Sequence, residues 1–402
     1  MTDSSASGSI PPATSLWSAF VPLLPFMLTV FVGFLAMGMA LPIVPRHVHD
    51  TLRQGPVVVG VVMGSQYLAS VFARMSAGGI ADGRGPKRAA LLGLLAGCGV
   101  GALYLASVAA TDVPPLALAL VVAARLLTGV TEAFVITSTM AWGLARVGPA
   151  HAGKVFGWMG VALFGGFAVG APLGTAIYAR FDFDGVALAV LVVSLAGLLG
   201  ASGIAGVAPS HLERLPFTRV LHAVKLPGLG LTLCSMGYAM LTAFAVLLFA
   251  QRGWNGGALA LTFMGAGFIA ARLLFGHLPD QVGGARVALY CVLGEALGLA
   301  MIWAAPHPAF AWIGAALTGG GYGIGFQGFG VEAVKRAPPQ SRGSAMGAYI
   351  VFQDLAMGLA PPLGGLLAAS AGLDAVYLAA AVGAAGSAVV AVLLLRANSR
   401  PP

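Results

Sequence analysis

The chain has 402 residues, of which 58% are hydrophobic and 58 are glycine, whereas only 8% are charged. A soluble domain carries roughly 25% charged residues, so this composition excludes a soluble enzyme and a membrane-anchored soluble domain. A spanning helix needs about 20 mostly apolar residues, and the apolar residues suffice for about twelve such helices. The net charge of +8 is spread in small groups between apolar runs, a pattern that indicates membrane topology and no nucleic-acid partner.

The segment before the first apolar run, residues 1–21, contains no Lys or Arg. It therefore lacks the basic region of a cleaved signal peptide, and we predict a disordered cytoplasmic tail followed by an uncleaved helix. Each of the three cysteines lies within an apolar run, where a thiol behaves as a small hydrophobic group. We expect no disulfide framework.

Twelve apolar runs follow in chain order, and a polar linker at 209–227 divides them into an N-terminal half (22–208) and a C-terminal half (228–402). Each run is long enough to span a bilayer. The predicted fold is an all-α polytopic membrane protein of twelve transmembrane helices. The runs are 22–45, 55–77, 89–109, 115–140, 153–178, 185–207, 228–251, 256–277, 287–305, 309–332, 343–369 and 373–395.

The distribution of basic residues predicts the orientation of these helices. If both termini are cytoplasmic, 16 of the 21 Lys and Arg residues lie on the cytoplasmic side. Four lie on the other side, and Arg125 lies within a helix. Since cytoplasmic loops carry an excess of Lys and Arg, we predict that both termini and the linker are cytoplasmic.

The two halves repeat one another. Residues 73–85 align with 271–283 at a shift of 198, and further along the shift becomes 190, which aligns Pro172–Gly174 with Pro362–Gly364. Parallel six-helix halves that face each other across a central site are the architecture of alternating-access transporters. The first alignment pairs Arg74 with Arg272, Gly78 with Gly276, Asp82 with Asp280, and Gly85 with Gly283.

The segment Gly78-x-x-x-Asp82-x-x-Gly85-x-Lys87-Arg88 joins the second and third runs. Its glycines permit a tight turn, and its carboxylate can bind a helix N-terminus or an arginine across the seam between halves. The segment resembles the helix-two to helix-three loop of the major facilitator superfamily, although Gly83 and Pro86 depart from that pattern. The resemblance implies a cytoplasmic gate that latches the halves shut, whereas the alternative is a topology signal only. The predicted gate comprises Gly78, Asp82, Gly85, Arg74, Arg272, Gly276, Asp280, Gly283 and Arg342.

Charged residues inside the apolar runs are candidates for proton coupling. Arg125 and Glu132 lie seven residues apart, which places them on one helix face about 10 Å apart. A charge near the bilayer centre costs roughly 2.5–3.5 kcal/mol, so these groups and Asp354 should face a cavity or a partner. The arginine–glycine spacing in this helix resembles a signature of proton-coupled facilitators, which implies that the arginine assists coupling or binds substrate. We predict that Glu132 and Asp354 carry protons and that Arg125 modulates them, the alternative being structural pairing. Glu295 receives no role.

No nucleotide-binding or metal-binding motif accompanies these residues. The glycine-rich stretch at 323–328 lies within an apolar run without a preceding strand, so it is not a dinucleotide fingerprint. We therefore expect no metal or cofactor and an ion gradient as the energy source. Candidate cavity residues are Gln66, Tyr67, Tyr238, Tyr322 and Gln353.

Residues 170–174, Gly-Ala-Pro-Leu-Gly, resemble the helix-five motif of drug/proton antiporters, although Ala171 separates the first glycine from Pro172. Close helix packing explains the same glycines equally well. Together with the segment Leu41–Asp50, they make the chain similar to the YhhS-type group of bacterial inner-membrane facilitators, which are described as sugar or drug efflux permeases. The resemblance implies a monomeric exporter of small organic molecules, exchanged for protons. The alternative is a proton-coupled importer of a sugar or organic acid, and a membrane-embedded enzyme or receptor is the third reading.

Overall fold

A computed structural model describes residues 16–148, 152–209, 217–336 and 342–399. All regular elements in these ranges are helices. Most of the predicted N-terminal tail and residues 210–216 of the predicted linker lie outside the described residues.

The long helices follow the predicted runs. Ala152–Ser202 is interrupted at Asp182, whose φ of 50° and ψ of −155° are not helical, and it therefore comprises α5 (152–181) and α6 (183–202). Short helical segments, Ile43–Arg46, His47–Thr51 and Leu278–Val282, follow α1 and α8. The other long helices are α1 Leu16–Ala40, α2 Pro56–Arg84, α3 Pro86–Ala109, α4 Pro114–Val147, α7 Phe217–Gln251, α8 Gly257–Phe275, α9 Gly284–Trp303, α10 Pro308–Arg336, α11 Arg342–Ala371 and α12 Leu373–Asn398.

Twelve of the described helices can span a bilayer. Ten stretches are long and apolar enough, and one of them, Gly157–Ser202, contains both α5 and α6. The glycine-rich α10 adds a helix of 29 residues, which is about 43 Å at 1.5 Å per residue. The predicted all-α fold with six helices in each half is confirmed.

Several helix ends differ from the runs. The first helix begins at Leu16, inside the predicted tail, and α7 begins at Phe217, inside the predicted linker. The second helix continues past residue 77 to Arg84. Hydropathy marks the part of a helix that lies in hydrocarbon, whereas the helix itself continues until a residue such as Gly85 breaks it.

The backbone repeats at two of the turns between helices. Gly85, between α2 and α3, has a φ of +92°, and Gly283, its partner at the shift of 198, has a φ of +102°. Asp182, between α5 and α6, has a φ of +50°, and Gly372, its partner at the shift of 190, has a φ of +86°. The same turns therefore join corresponding helices in both halves.

Helix packing shows the same symmetry. In the N-terminal half α4 packs on α2 and α3, and α3 also packs on α6; in the C-terminal half α10 packs on α8 and α9, and α9 also packs on α12. The halves meet where α2 packs on α11 and where α5 packs on α8. These two contacts are equivalent, because the repeat relates α2 to α8 and α5 to α11. We call the α2–α11 contact the seam, the end of the bundle that carries Arg84, Lys87 and Arg88 the basic end, and the other end the opposite end.

Candidate transport site

A row of polar side chains on α2 faces the centre of the bundle. Gln66, Ser70 and Arg74 are spaced four residues apart, so they share one helix face. Gln66 is 2% exposed and Ser70 is completely buried. This face lies against α4 of the same half and α11 of the other half.

Arg74 binds Asp354 of α11 across the seam. Its Nη2 donates to Oδ1 at 3.0 Å, and its Nε donates to Oδ2. The Ser70 hydroxyl lies 3.5 Å from the same Oδ2 atom. The Asp354 side chain is 1% exposed, so this bidentate ion pair joins the two halves in the interior of the protein.

Glu132 of α4 is the second carboxylate of the cluster. Gln66 Nε2 donates to its Oε2 atom at 2.7 Å, and Arg74 Nη2 lies 3.7 Å from its Oε1 atom. The side chains of Arg74 and Glu132 are 15% and 13% exposed. A single guanidinium group therefore contacts two carboxylates, one from each half.

Gly129 explains how Glu132 reaches α2. A Cβ atom at this position would overlap the carbonyl oxygen of Gln66 and would lie 3.0 Å from the backbone nitrogen of Ser70. The glycine therefore lets the backbones of α4 and α2 touch. Glu132 lies one turn further along α4, beside Gln66.

Arg125, the predicted modulator, is 1% exposed. Its Nε and Nη2 atoms have no hydrogen-bond partner among the described residues. Glu132 instead contacts Gln66 and Arg74. Because a guanidinium group offers five N–H donors, Arg125 retains the capacity to bind an anionic or hydrogen-bond-accepting group.

Aromatic rings from four helices form a wall beside the polar cluster. Tyr238 of α7 and Tyr322 of α10 stack with their ring centroids 4.9 Å apart. Phe164 of α5 stacks on Phe268 of α8 across the contact between halves, and it lies 6.3 Å from Tyr238 in an edge arrangement. Such rings can stack against a planar solute.

The two remaining candidate cavity residues, Tyr67 and Gln353, differ in how they relate to the cluster. Tyr67 is 5% exposed and lies within electrostatic range of Glu132, Arg125 and Asp354. Gln353 adjoins Asp354 in sequence, but its Nε2 atom lies 3.8 Å from the Met357 sulfur atom. Tyr67 therefore belongs to the surroundings of the charged cluster, whereas Gln353 points along α11.

The predicted gate residues separate into two groups. Arg74 lies in the central cluster with Asp354 and Glu132, which differs from its predicted grouping, because α2 continues ten residues beyond it before the turn at Gly85. Asp82 and Arg272 lie in the last turns of α2 and α8, and the amide of Gln327 donates to the Gly276 carbonyl at 2.8 Å. The side chains of Asp280 and Arg342 lie outside the described residues, and Gly78 lies in the last two turns of α2.

The seam is tight on only one side of Asp354. Toward the opposite end, Cβ atoms at Gly60 and Gly64 would overlap the carbonyl oxygens of Pro361 and Gly358. Toward the basic end, Gly347 lies two turns from Asp354 on the same face, and a Cβ there meets no described atom within 4 Å. Along the seam, the described residues are therefore in backbone contact toward the opposite end, whereas Gly347, toward the basic end, has no close described neighbour.

The sequence matches the model of one known protein family. The model of the Major Facilitator Superfamily matches residues 26–271 and 227–402, which together span nearly all of the chain. The chain belongs to the major facilitator superfamily. Its two repeated halves are therefore those of an MFS transporter.

Two bacterial relatives carry the same classification. An uncharacterized MFS-type transporter of Salmonella typhimurium strain LT2 is 40% identical over 388 residues, covering 96% of this chain and 99% of its own. An uncharacterized MFS-type transporter of Pseudomonas aeruginosa PAO1 is 39% identical over 377 residues, covering 92% of each chain. These relatives establish a multi-pass membrane transporter with bacterial homologues.

Solved structures share the fold at low identity. The nucleoside transporter NupG superimposes with a TM-score of 0.75 at 14% identity, covering 93% of this chain and 99% of its own. The human organic anion transporter MFSD10 superimposes with a TM-score of 0.68 at 15% identity, covering 95% of this chain and 100% of its own. At these identities the likeness concerns the fold.

Proposed function

We propose that this facilitator exchanges a small organic solute for protons, with Asp354 and Glu132 as the proton carriers. The observation that carries this proposal is the sharing of one guanidinium group by two carboxylates from opposite halves. When both carboxylates are ionised, Arg74 neutralises only one of them. Binding of a proton to either one redistributes Arg74 toward the other, so the protonation state is coupled to a contact between halves.

The position of the Arg74–Asp354 pair connects this chemistry to transport. The pair lies between the tightly packed part of the seam and the part toward the basic end, where Gly347 has no close neighbour among the described residues. Protonation of Asp354 removes its charge and releases Arg74 to Glu132 within the N-terminal half. With that tie gone, α2 and α11 can separate at the opposite end, which is the movement that alternating access requires.

The surroundings of the cluster favour a planar solute with an anionic or accepting group. Tyr238 and Phe164 offer ring faces and edges, and Arg125 offers N–H groups without partners among the described residues. A nucleoside and an organic anion, the solutes named for NupG and MFSD10, each have one of these features. We propose small sugar-like or drug-like organic molecules of this kind as substrates.

We propose export as the direction, on the resemblance to the YhhS-type efflux group. The glycines of the helix-five motif do not add to this argument, because Gly166 and Gly170 pack directly on the α1 backbone at Phe31 and Leu35. An efflux-deficient bacterial host that expresses the protein should tolerate, or accumulate less of, at least one compound in a broad screen. Accumulation that rises with expression would instead establish the importer.

We propose that the protein is a monomer in the bacterial inner membrane with both termini and the basic end in the cytoplasm. Reporter fusions after Pro209 and after Pro402 should both be active as cytoplasmic reporters. A periplasmic reading at either position would overturn the orientation. Asp82 and Asp280 are then placed to act in the cytoplasmic gate, and Asp82→Asn should lower transport and increase cysteine labelling from the cytoplasmic side.

The coupling is tested with purified protein in liposomes that enclose a pH-sensitive dye. A transported solute added outside should change the internal pH, and the same solute should be driven by an imposed pH gradient. A solute that is transported with no proton flux, and with no response to the gradient, would contradict the proposal.

A further inference from the structure

The C-terminal half contains a buried carboxyl group that the central cluster does not use. Glu295, near the middle of α9, is completely buried, and neither of its Oε atoms has a hydrogen-bond partner among the described residues. A buried polar group without a partner destabilises the folded protein, and a buried charge does so more strongly. A purely structural role does not account for this cost, since an apolar residue of the same size would pack equally well.

Neighbouring helices leave room for this carboxyl group. A Cβ atom at Gly237 of α7 would lie 2.8 Å from Glu295 Oε1, and one at Gly321 of α10 would lie 2.7 Å from the Glu295 backbone nitrogen. Both helices therefore have a glycine where they cross Glu295. The Tyr322 hydroxyl lies within electrostatic range of Glu295, and it lacks a hydrogen-bond partner among the described residues.

No described cation contacts Glu295. The titratable groups that face it are Cys234 of α7, Tyr322 of α10 and Cys291 of α9 itself. On α12, which also packs on α9, the described titratable residues lie near the helix ends, and the buried Ser387 donates to the Gly230 carbonyl. Among the described titratable groups, the neighbours of the carboxyl group are therefore one phenol and two thiols.

Tyr322 connects this pocket to the central cluster. Its ring stacks on Tyr238 of the aromatic wall. Its hydroxyl lies beside Ser235, within electrostatic range of Glu295, and it also interacts electrostatically with Arg74. The Tyr322 side chain thus lies between Glu295 and the central cluster.

We propose that Glu295 is a second proton-binding site, which exchanges protons with the central cavity by way of the Tyr322 hydroxyl. When this hydroxyl comes within hydrogen-bond distance of Glu295, its proton passes to a Glu295 oxygen as a proton from the cavity binds to the Tyr322 oxygen. The hydroxyl group ends neutral, and the carboxylate becomes a carboxylic acid. The binding site itself is independent of the function proposed above, whereas its role in coupling rests on that function.

Infrared difference spectroscopy of the purified protein in lipid nanodiscs tests the site, with protons as the only probe. Labelling the glutamate carboxyl groups with carbon-13 shifts their carbonyl bands away from those of aspartate without any substitution. The chain contains only four glutamates, so few bands need to be assigned. A pH change should alter a protonated-glutamate band that is absent from Glu295→Gln and present in Glu132→Gln. If the labelled band in the wild type does not change with pH, or is unaltered in Glu295→Gln, the proposal is overturned.

The proposed path is tested by the same measurement in a stopped-flow instrument. Tyr322→Phe keeps the stacked ring and removes the hydroxyl, and we expect it to slow the response of the Glu295 band at least tenfold without changing its final amplitude. Tyr349→Phe is the matched control, because its hydroxyl donates to the Phe326 carbonyl at 2.6 Å instead. An equal rate in wild type and Tyr322→Phe would refute the path. These measurements need no transported solute, so their failure is distinct from a failure of proton-coupled transport.

Discussion

Arg74 of α2 donates two hydrogen bonds to the carboxylate of Asp354 in α11, although 280 positions separate the two residues in the chain. The pair lies in the same seam in which glycines, toward the opposite end, bring the backbones of α2 and α11 into contact. The seam thus combines close packing toward the opposite end with a charge-dependent contact at the centre. Only the second of these can respond to a proton.

Removal of one member of this pair should destabilise the protein more than removal of both. Arg74→Gln leaves Asp354 buried without a cation, and breaking a buried ion pair in this way costs about 3–5 kcal/mol. The double variant Arg74→Gln/Asp354→Asn leaves neutral amides, which should recover more than half of that loss. Thermal unfolding of the purified variants, analysed as a double-mutant cycle, measures the coupling. Additive losses would show that the two side chains do not depend on each other.

Proton-driven transport should disappear when the cluster carboxylates are neutralised. Glu132→Gln and Asp354→Asn should each abolish accumulation or expulsion against a gradient while sparing solute exchange, because only a titratable group can carry the proton. The matched control is Asp374→Asn. This carboxylate lies at the start of α12 and pairs with Arg252, within the C-terminal half. Driven transport and counterflow in liposomes distinguish the two steps. Normal pH dependence in both cluster variants would place coupling elsewhere.

The sequence predicts the helices because hydropathy, the charge distribution and the repeat all describe them locally or by comparison of the two halves. The matched turns at Gly85 and Gly283 illustrate this, since both have a positive φ. The sequence also predicts that Glu132 and Asp354 need partners, because a charge inside an apolar run is costly. In the structure the two carboxylates contact the same guanidinium group.

Arg74 was grouped with the gate because the repeat aligns it with Arg272 near the end of the second helix. Its contact with Asp354 depends on how the halves pack, which no local pattern describes. One signal was present: Gln66, a candidate cavity residue, shares a helix face with Ser70 and Arg74 at steps of four. The prediction that Arg125 modulates Glu132 rests on a shared helix face and stays a prediction: Arg125 lies within electrostatic range of Glu132, whereas Gln66 and Arg74 contact it directly.

Gly129→Ala should impair transport through geometry alone. The added Cβ overlaps the Gln66 carbonyl oxygen, and because that oxygen belongs to the backbone, α2 and α4 must move apart. The 2.7 Å bond between Gln66 and Glu132 should then be lost. Gly160→Ala in α5 is the control, since its Cβ meets nothing within 4 Å and alanine favours the helix by about 0.5–1 kcal/mol. Transport rates normalised to membrane expression compare them, and equal rates would refute this packing argument.

Asp182 occupies a turn that the second half forms with glycine. Its φ of 50° and ψ of −155° lie in a region that glycine adopts readily and other residues adopt at a cost of about 1–3 kcal/mol. The corresponding Gly372 has a φ of 86°. The Asp182 side chain is exposed, whereas the next residue, Phe183, is buried and stacks on His47 with ring centroids 3.9 Å apart.

Asp182→Gly should therefore raise the thermal stability of the protein. Relief of the strained turn exceeds the loss from the greater freedom of glycine in the unfolded chain, which is about 0.5–1 kcal/mol, so we expect a net gain of about 1 kcal/mol. Asp184→Gly, two residues further on in α6, is the control: its backbone is already helical, and glycine there should lower stability by a few tenths of a kcal/mol. Unfolding temperatures of the three proteins in the same detergent give the comparison. A loss of stability in Asp182→Gly equal to that in Asp184→Gly would show that the turn stores no strain.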